Sequence, residues 1–181
     1  MQGIAQADGD KVAVSGDLNL MGNILLEAGR IDEAAARFAK SVAVSDQADA
    51  PPEVKEAARR NALFDQARVA LARNDAATAR ARSKAYAEKV AVGKVPFEVR
   101  RSHEIAGLIA LQAKDYPIAI AELKQANQQD PKVLYNLARA YRGQGEAALA
   151  RQTFQKAADF NGLGFNYAYV RTKAQKALAE A

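Results

Sequence analysis

The sequence predicts an all-α protein assembled from consecutive antiparallel helix pairs, and three observations carry that prediction. Between Leu134 and Phe160, Leu134, Leu137, Ala138 and Tyr141 recur at the i, i+3, i+4, i+7 spacing of one helix face. After a break at Gly143 and Gly145, Ala147, Ala150, Phe154, Ala157 and Ala158 form a second such face. Hydrophobic residues make up 49% of the 181 but aromatics only 7%. Much of the remainder is alanine, which favours helix above all other residues and fills so little volume that a core built from it needs closely packed helices. Finally, the five prolines, at 51, 52, 96, 117 and 131, fall between or at the start of the periodic segments, where the missing N–H breaks no helical bond.

The chain in order repeats this pattern. A first helix over 10–28 carries Leu18, Met21, Gly22 and Leu25 on one face and stops at Gly29. A second over 31–45 places Asp32 and Glu33 at its positive N-terminal end and carries Ala34, Phe38 and Ser41. The loop ending in Pro51-Pro52 starts a long helix over 52–73 with Leu63, Ala67, Ala70 and Leu71 as its stripe. Asn74-Asp75 takes the turn position that glycine holds elsewhere, and a helix over 76–91 follows with Ala79, Ser83 and Tyr86. Gly93 to Pro96 breaks the chain before a helix over 97–113 with His103, Ala106, Gly107 and Ala110. After the turn Lys114-Asp115-Tyr116-Pro117, a helix over 117–129 carries Ala119, Leu123 and Ala126 and hands over almost directly at Pro131. The pair 132–143 and 147–159 comes next, with Tyr141 and Phe154 expected to meet inside it. A last helix over 164–179 presents Tyr167, Val170, Ala174, Ala177 and Leu178 on one side.

The order Leu134, Leu137, Ala138, Tyr141, Gly145, Ala150, Phe154, Ala157 resembles the tetratricopeptide (TPR) repeat, whose large, small and aromatic positions fall at these intervals over about 34 residues. The resemblance covers nearly the whole chain as one domain, 1–181, with repeats near 15–47, 52–92, 97–131 and 132–161 and a capping helix over 164–179. It implies a right-handed helical-hairpin solenoid, a TPR-like superhelix of about four helix pairs plus the C-terminal cap that shields the last apolar face. The second repeat departs most, with Gln66 in place of a large apolar residue and Ser83 in place of Phe154. The marker alanines 34, 79, 119 and 150 are spaced 45, 40 and 31 residues apart, so longer helices or loops must distort a regular stack. The overall look is that of bacterial TPR proteins.

Little in the chain points to catalysis. With no cysteine, thiolate chemistry and disulfides are excluded, and the redox compartment stays open. His103 is the single histidine and occupies the packed position of Leu18 and Leu134, and Glu104 is the wrong neighbour to share a metal face with it. Gly143-Gln144-Gly145 and Gly162-Leu163-Gly164 follow no strand and precede no phosphate-loop lysine, so they read as turns and helix ends. No enzyme, cofactor or metal assignment follows. No apolar run is long enough to span a membrane, and the first ten residues lack the regions of a signal peptide, so the expectation is a soluble protein of the bacterial cytoplasm or of the periplasm and envelope, any signal lying upstream.

The net charge of +5 is uneven: residues 1–50 hold eight acids against four bases, and the excess of base lies beyond. Arg59-Arg60, Arg80, Arg82, Lys84 and Arg100-Arg101 form the densest basic zone, but without interleaved exposed aromatics it reads as solvated helix faces, not as a nucleic-acid platform.

What the resemblance implies about function is a non-catalytic interaction module that takes a peptide or extended partner segment in a concave groove lined by the first helix of each pair. The implied groove positions are Asn19, Asn23 and Leu26, then Phe64, Asp65 and Arg68, then Arg101, Glu104 and Leu108, then Tyr135, Asn136, Arg139 and Arg142. Arginines suit an acidic partner, and Phe64, Leu108 and Tyr135 supply apolar pockets. One TPR subfamily clamps a C-terminal carboxylate; Asn23 and Arg101 match its clamp, while Asn19, Asp65 and Ile105 depart from it. The alternative is a structural or regulatory segment of a larger envelope or enzyme assembly, self-associating through its acidic N-terminal half.

Overall fold

The computed structural model describes residues 10–162 and 165–180, with side chains given outside 165–168. Among these residues every regular element is an α-helix: α1 Lys11–Glu27, α2 Ile31–Asp46, α3 Pro52–Ala72, α4 Ala76–Gly93, α5 Pro96–Gln112, α6 Tyr116–Gln125, α7 Pro131–Gln144, α8 Ala147–Ala158 and α9 Phe165–Ala179. Contacts gather these into two compact units, one up to Val92 and one from Gly93. Four antiparallel pairs, α1–α2, α3–α4, α5–α6 and α7–α8, form an all-α helical-repeat architecture, and α9 packs on α7 and α8.

The four hairpins turn in the same way. Each first helix ends with a residue in the left-handed region: Gly29 at φ 76°, Asn74 at 60°, Lys114 at 60° and Gly145 at 89°. The amide of the next residue then reaches back to a carbonyl of the last turn, Arg30 to Leu25, Asp75 to Ala70, Asp115 to Ala110 and Glu146 to Tyr141, each at 2.9 Å. This is the Schellman closure, which satisfies carbonyls that the helix end would leave orphaned. Two of the following helices are then capped by the side chain at the same position. Asp75 accepts from the Thr78 N–H at 3.0 Å, and Asp115 from that of Ile118 at 3.3 Å.

Within a pair, a small residue on the first helix faces a large one on the second. A Cβ on Gly22 would lie 2.5 Å from the Phe38 ring, and one on Gly107 would lie 2.6 Å from Leu123 Cγ. Close approach of the helices therefore depends on the absence of side chain there. The first unit buries Leu18, Phe38, Phe64 and Tyr86, with the last two rings 5.7 Å apart and tilted. The second buries Ile105, Leu123, Val133, Leu137 and Phe154, and α9 adds Val170, Ala174 and Ala177 to that core. The unequal repeat spacing is absorbed largely by helix length, since α3 has 21 residues and α4 has 18 against 10 in α6.

The structure adds to the sequence reading around α6 and around Phe154. Helix α6 ends at Gln125, not at 129. Pro131 holds Asp130 extended, and the intervening turn is stabilised by the Gln128 side-chain amide, which donates to the carbonyls of Leu123 at 2.8 Å and Ala126 at 3.0 Å. Tyr135 also packs on Phe154, its ring 5.6 Å away and tilted, while Tyr141 shares the buried core with Phe154 and has Lys124 over its face. Tyr135 and Phe154 are almost equally far from Gly145 along two antiparallel helices, whereas Tyr141 is only about one turn from it. The expected first cap residue, Gly164, and the side chain of Tyr167 lie outside what the structure describes.

Candidate functional site

The positions implied to line a groove divide sharply between the two units. In the first unit they are joined to one another. Asp65 on α3, 1% exposed, accepts from the Asn19 amide of α1 at 2.7 Å and from the Asn61 amide at 3.1 Å. Arg68, one turn on and 8% exposed, donates to Asp65 Oδ1 at 3.3 Å and to Asn23 Oδ1, and lies 3.8 Å from Glu27 Oε1. Asn23 in turn donates to Asn19 at 3.1 Å. Phe64 is 3% exposed between Tyr86 and the Arg68 guanidinium, 5.5 Å from its centroid. Asn19, Asn23, Asp65 and Arg68 thus tie α1 to α3, Phe64 packs towards α4, and Asn19, Asn23 and Leu26 are half-buried.

In the second unit, part of the set stays accessible. Arg139 and Arg142 are exposed on α7, one turn apart and therefore on one face. The Arg139 guanidinium lies 5.9 Å from the Tyr135 centroid and donates to Asn136 Oδ1 at 3.1 Å. Asn136 is itself fixed, buried and donating to the Lys132 carbonyl at 2.9 Å. Arg142 sits 4.9 Å above the face of Phe154. Both cations rest on aromatic rings, a contact that orients guanidinium groups without neutralising them. Among the described residues neither has a carboxylate within ion-pair distance. On α5, which touches α7, Arg101 lies 5.5 Å from the Phe97 centroid, Leu108 is half-buried and Glu104 is buried.

His103 pairs with a residue the sequence reading did not single out. Its Nδ1 lies 2.8 Å from Glu122 Oε2 on α6, with both side chains about 28–29% exposed. The partner is 19 residues away across the hairpin, so helical spacing around His103 could not reveal it. The basic zone is partly neutralised as well. Arg59 bridges Asp46 at 2.9 Å and Glu56 at 2.7 Å, which raises its own pKa and lowers that of Glu56 below the usual carboxylate range. Lys84 lies 3.9 Å from Glu88. Among the described residues no helix is long and apolar enough to cross a membrane.

The tetratricopeptide repeat family model matches the chain over residues 61–83 and 131–156. The first stretch spans the turn of the α3–α4 hairpin and the second covers most of α7–α8. The hairpin carrying Gln66 and Ser83 is thus one of the two matched, and its small positions Ala67 and Ala79 are both fully buried. No curated protein matches the sequence. TPR domains are generally protein–protein interaction modules and typically non-catalytic scaffolds. The same left-handed turn closes all four hairpins, and two of those hairpins match the tetratricopeptide repeat, which supports a tetratricopeptide-repeat protein.

Proposed function

We propose that this protein is a non-catalytic interaction module whose second unit receives an acidic peptide segment, or a free C-terminal carboxylate, on the face shared by α5 and α7. The observation that carries the reading is the pair Arg139 and Arg142: two exposed guanidinium groups one turn apart, each held on a ring and neither paired with a carboxylate of the described chain. Such groups are pre-oriented and offer the fork of donors that suits carboxylate. Tyr135, half-buried beneath Arg139, and Leu108 on α5 supply apolar surface for a neighbouring side chain of the partner. Arg101 extends the positive face along α5.

Asn19, Asn23 and Arg68 have no part in this surface, because their polar atoms serve the α1–α3 contact, and neither has Phe64, whose ring packs on Tyr86 of α4. Each charge-assisted contact contributes roughly 1.5–3 kcal/mol where water is excluded and well under 1 kcal/mol at an open rim. The test is a peptide-array or pull-down screen of the wild type beside Arg139→Glu, Arg142→Glu, with folding checked by melting temperature. Loss of acidic or C-terminal ligands in the folded double variant supports the reading, and an unchanged set of ligands removes it.

A further inference from the structure

Independently of the α5–α7 face, the first unit holds a cavity of about 450 Å³ between α2, α3 and the start of α4. Its volume falls in the range of small-molecule sites. Phe38, Val42, Val69 and Ala70 contribute to its apolar wall, and Gln66, Arg73 and Arg82 stand at its exposed rim.

The cavity has a source in the sequence. In the repeat register, Gln66, Ala70 and Ser83 stand where the α7–α8 hairpin has Leu137, Tyr141 and Phe154. Three large apolar side chains are replaced by smaller or polar ones, and two of the replacements, Gln66 and Ala70, line the cavity. Tyr86, which corresponds to Ala157, returns some of that bulk, but it is committed to Phe64. Loss of packing atoms without collapse of the helices leaves a space whose lining forfeits dispersion contacts. A chain of marginal stability gains by filling it.

The polar groups around it define what could fill it. A second cavity of about 210 Å³ shares Phe38, Val42 and Ala62 with the first, but its polar lining is occupied: Asp65 by Asn19, Asn61 and Arg68, and Ser15 by Ser41. At the rim of the larger cavity, Asp75 is engaged by Thr78, whose hydroxyl and N–H hold its carboxyl below the usual range. Arg73 is bridged to Asp32 at 2.6 Å. Arg82 is exposed, and among the described residues no carboxylate lies within ion-pair distance of it. We infer that this cavity binds a small amphiphilic carboxylate, its apolar body against Phe38, Val42 and Val69 and its anionic end at Arg82.

Decanoate serves as the probe, titrated into the full chain and followed by displacement of 8-anilinonaphthalene-1-sulfonate fluorescence and by calorimetry, with decanol as the uncharged comparison. Saturable one-to-one binding of decanoate is expected, with decanol and the Arg82→Gln variant each weaker by about two- to fourfold, the effect of one charge contact at an open rim. Ala70→Phe should abolish binding by occupying the space; should it fail to fold, Ala39→Leu intrudes on the same cavity from its exposed side and should weaken binding at least tenfold. The assignment is overturned if decanoate does not bind at millimolar concentration, if the filled variants bind it as the wild type does, or if only a peptide bearing an apolar side chain beside an acidic one displaces the dye.

Discussion

Replacing Asp65 with alanine removes the centre of the network between α1 and α3, and the structure sets the size of the loss. Asp65 is 1% exposed and accepts from Asn19 at 2.7 Å, Asn61 at 3.1 Å and Arg68 at 3.3 Å. Without it, two amide groups lose an acceptor, and a guanidinium only 8% exposed keeps Asn23 and a Glu27 carboxylate at 3.8 Å. Breaking one partner out of a buried ion pair costs about 3–5 kcal/mol, and the residual contacts of Arg68 place Asp65→Ala near the lower end, about 3 kcal/mol. Removing both charges in Asp65→Leu, Arg68→Met should cost less than Asp65→Ala alone, because no uncompensated charge stays buried. Urea denaturation followed by circular dichroism reads both: at a slope of about 2 kcal/mol/M the single variant shifts the midpoint down by about 1.5 M. A single-variant cost below about 1 kcal/mol, or a double-variant cost equal to the sum of the two singles, would refute the reasoning.

Phe154→Ala should cost about 3–5 kcal/mol in the same assay, since the ring is fully buried between Tyr135 and Arg142, and a cost below about 1 kcal/mol would show that the α7–α8 contact is misplaced. Lys114→Gly should stabilise by roughly 0.5–1 kcal/mol, because Lys114 sits at φ 60° where the Cβ is strained; a lower melting temperature would contradict the turn assignment. Asp75 has a folded pKa depressed below its ordinary value of 3.8, chiefly by the Thr78 hydroxyl, so its contribution is fully present above that value and is lost as pH falls through the lower folded one. The melting-temperature gap between wild type and Asp75→Ala should therefore close in acid, and a gap unchanged at pH 2 would refute the cap.

The helices were legible because two independent signals coincide: apolar residues at helical spacing, and proline or glycine where that spacing breaks. Asn74-Asp75 could be placed as a turn by analogy with Gly29 and Gly145, and the structure adds that Asn74 and Lys114 adopt the same left-handed geometry without being glycine. Side-chain partners across helices were less accessible. Register places Asp65 and Arg68 beside the packed stripe, but whether a flanking polar group meets water or another helix depends on residues such as Asn19 and Asn23, some 45 positions earlier. The same limit hid Glu122 opposite His103 and Tyr135 beside Phe154. Arg139 and Arg142 remain accessible because, among the described residues, the positions around them supply rings and an amide but no carboxylate at ion-pair distance.

The most direct test of the interaction-module account is a heteronuclear NMR titration of the full chain with an acidic peptide bearing a free C-terminus, observing the backbone amides and the arginine Nε–H resonances. The account predicts that the Nε–H signals of Arg139 and Arg142 shift first, together with amides near Tyr135, Leu108 and Arg101, while those around Asp65 and Arg68 stay in place. Shifts confined to residues outside α5 and α7, or none at millimolar peptide, would contradict it.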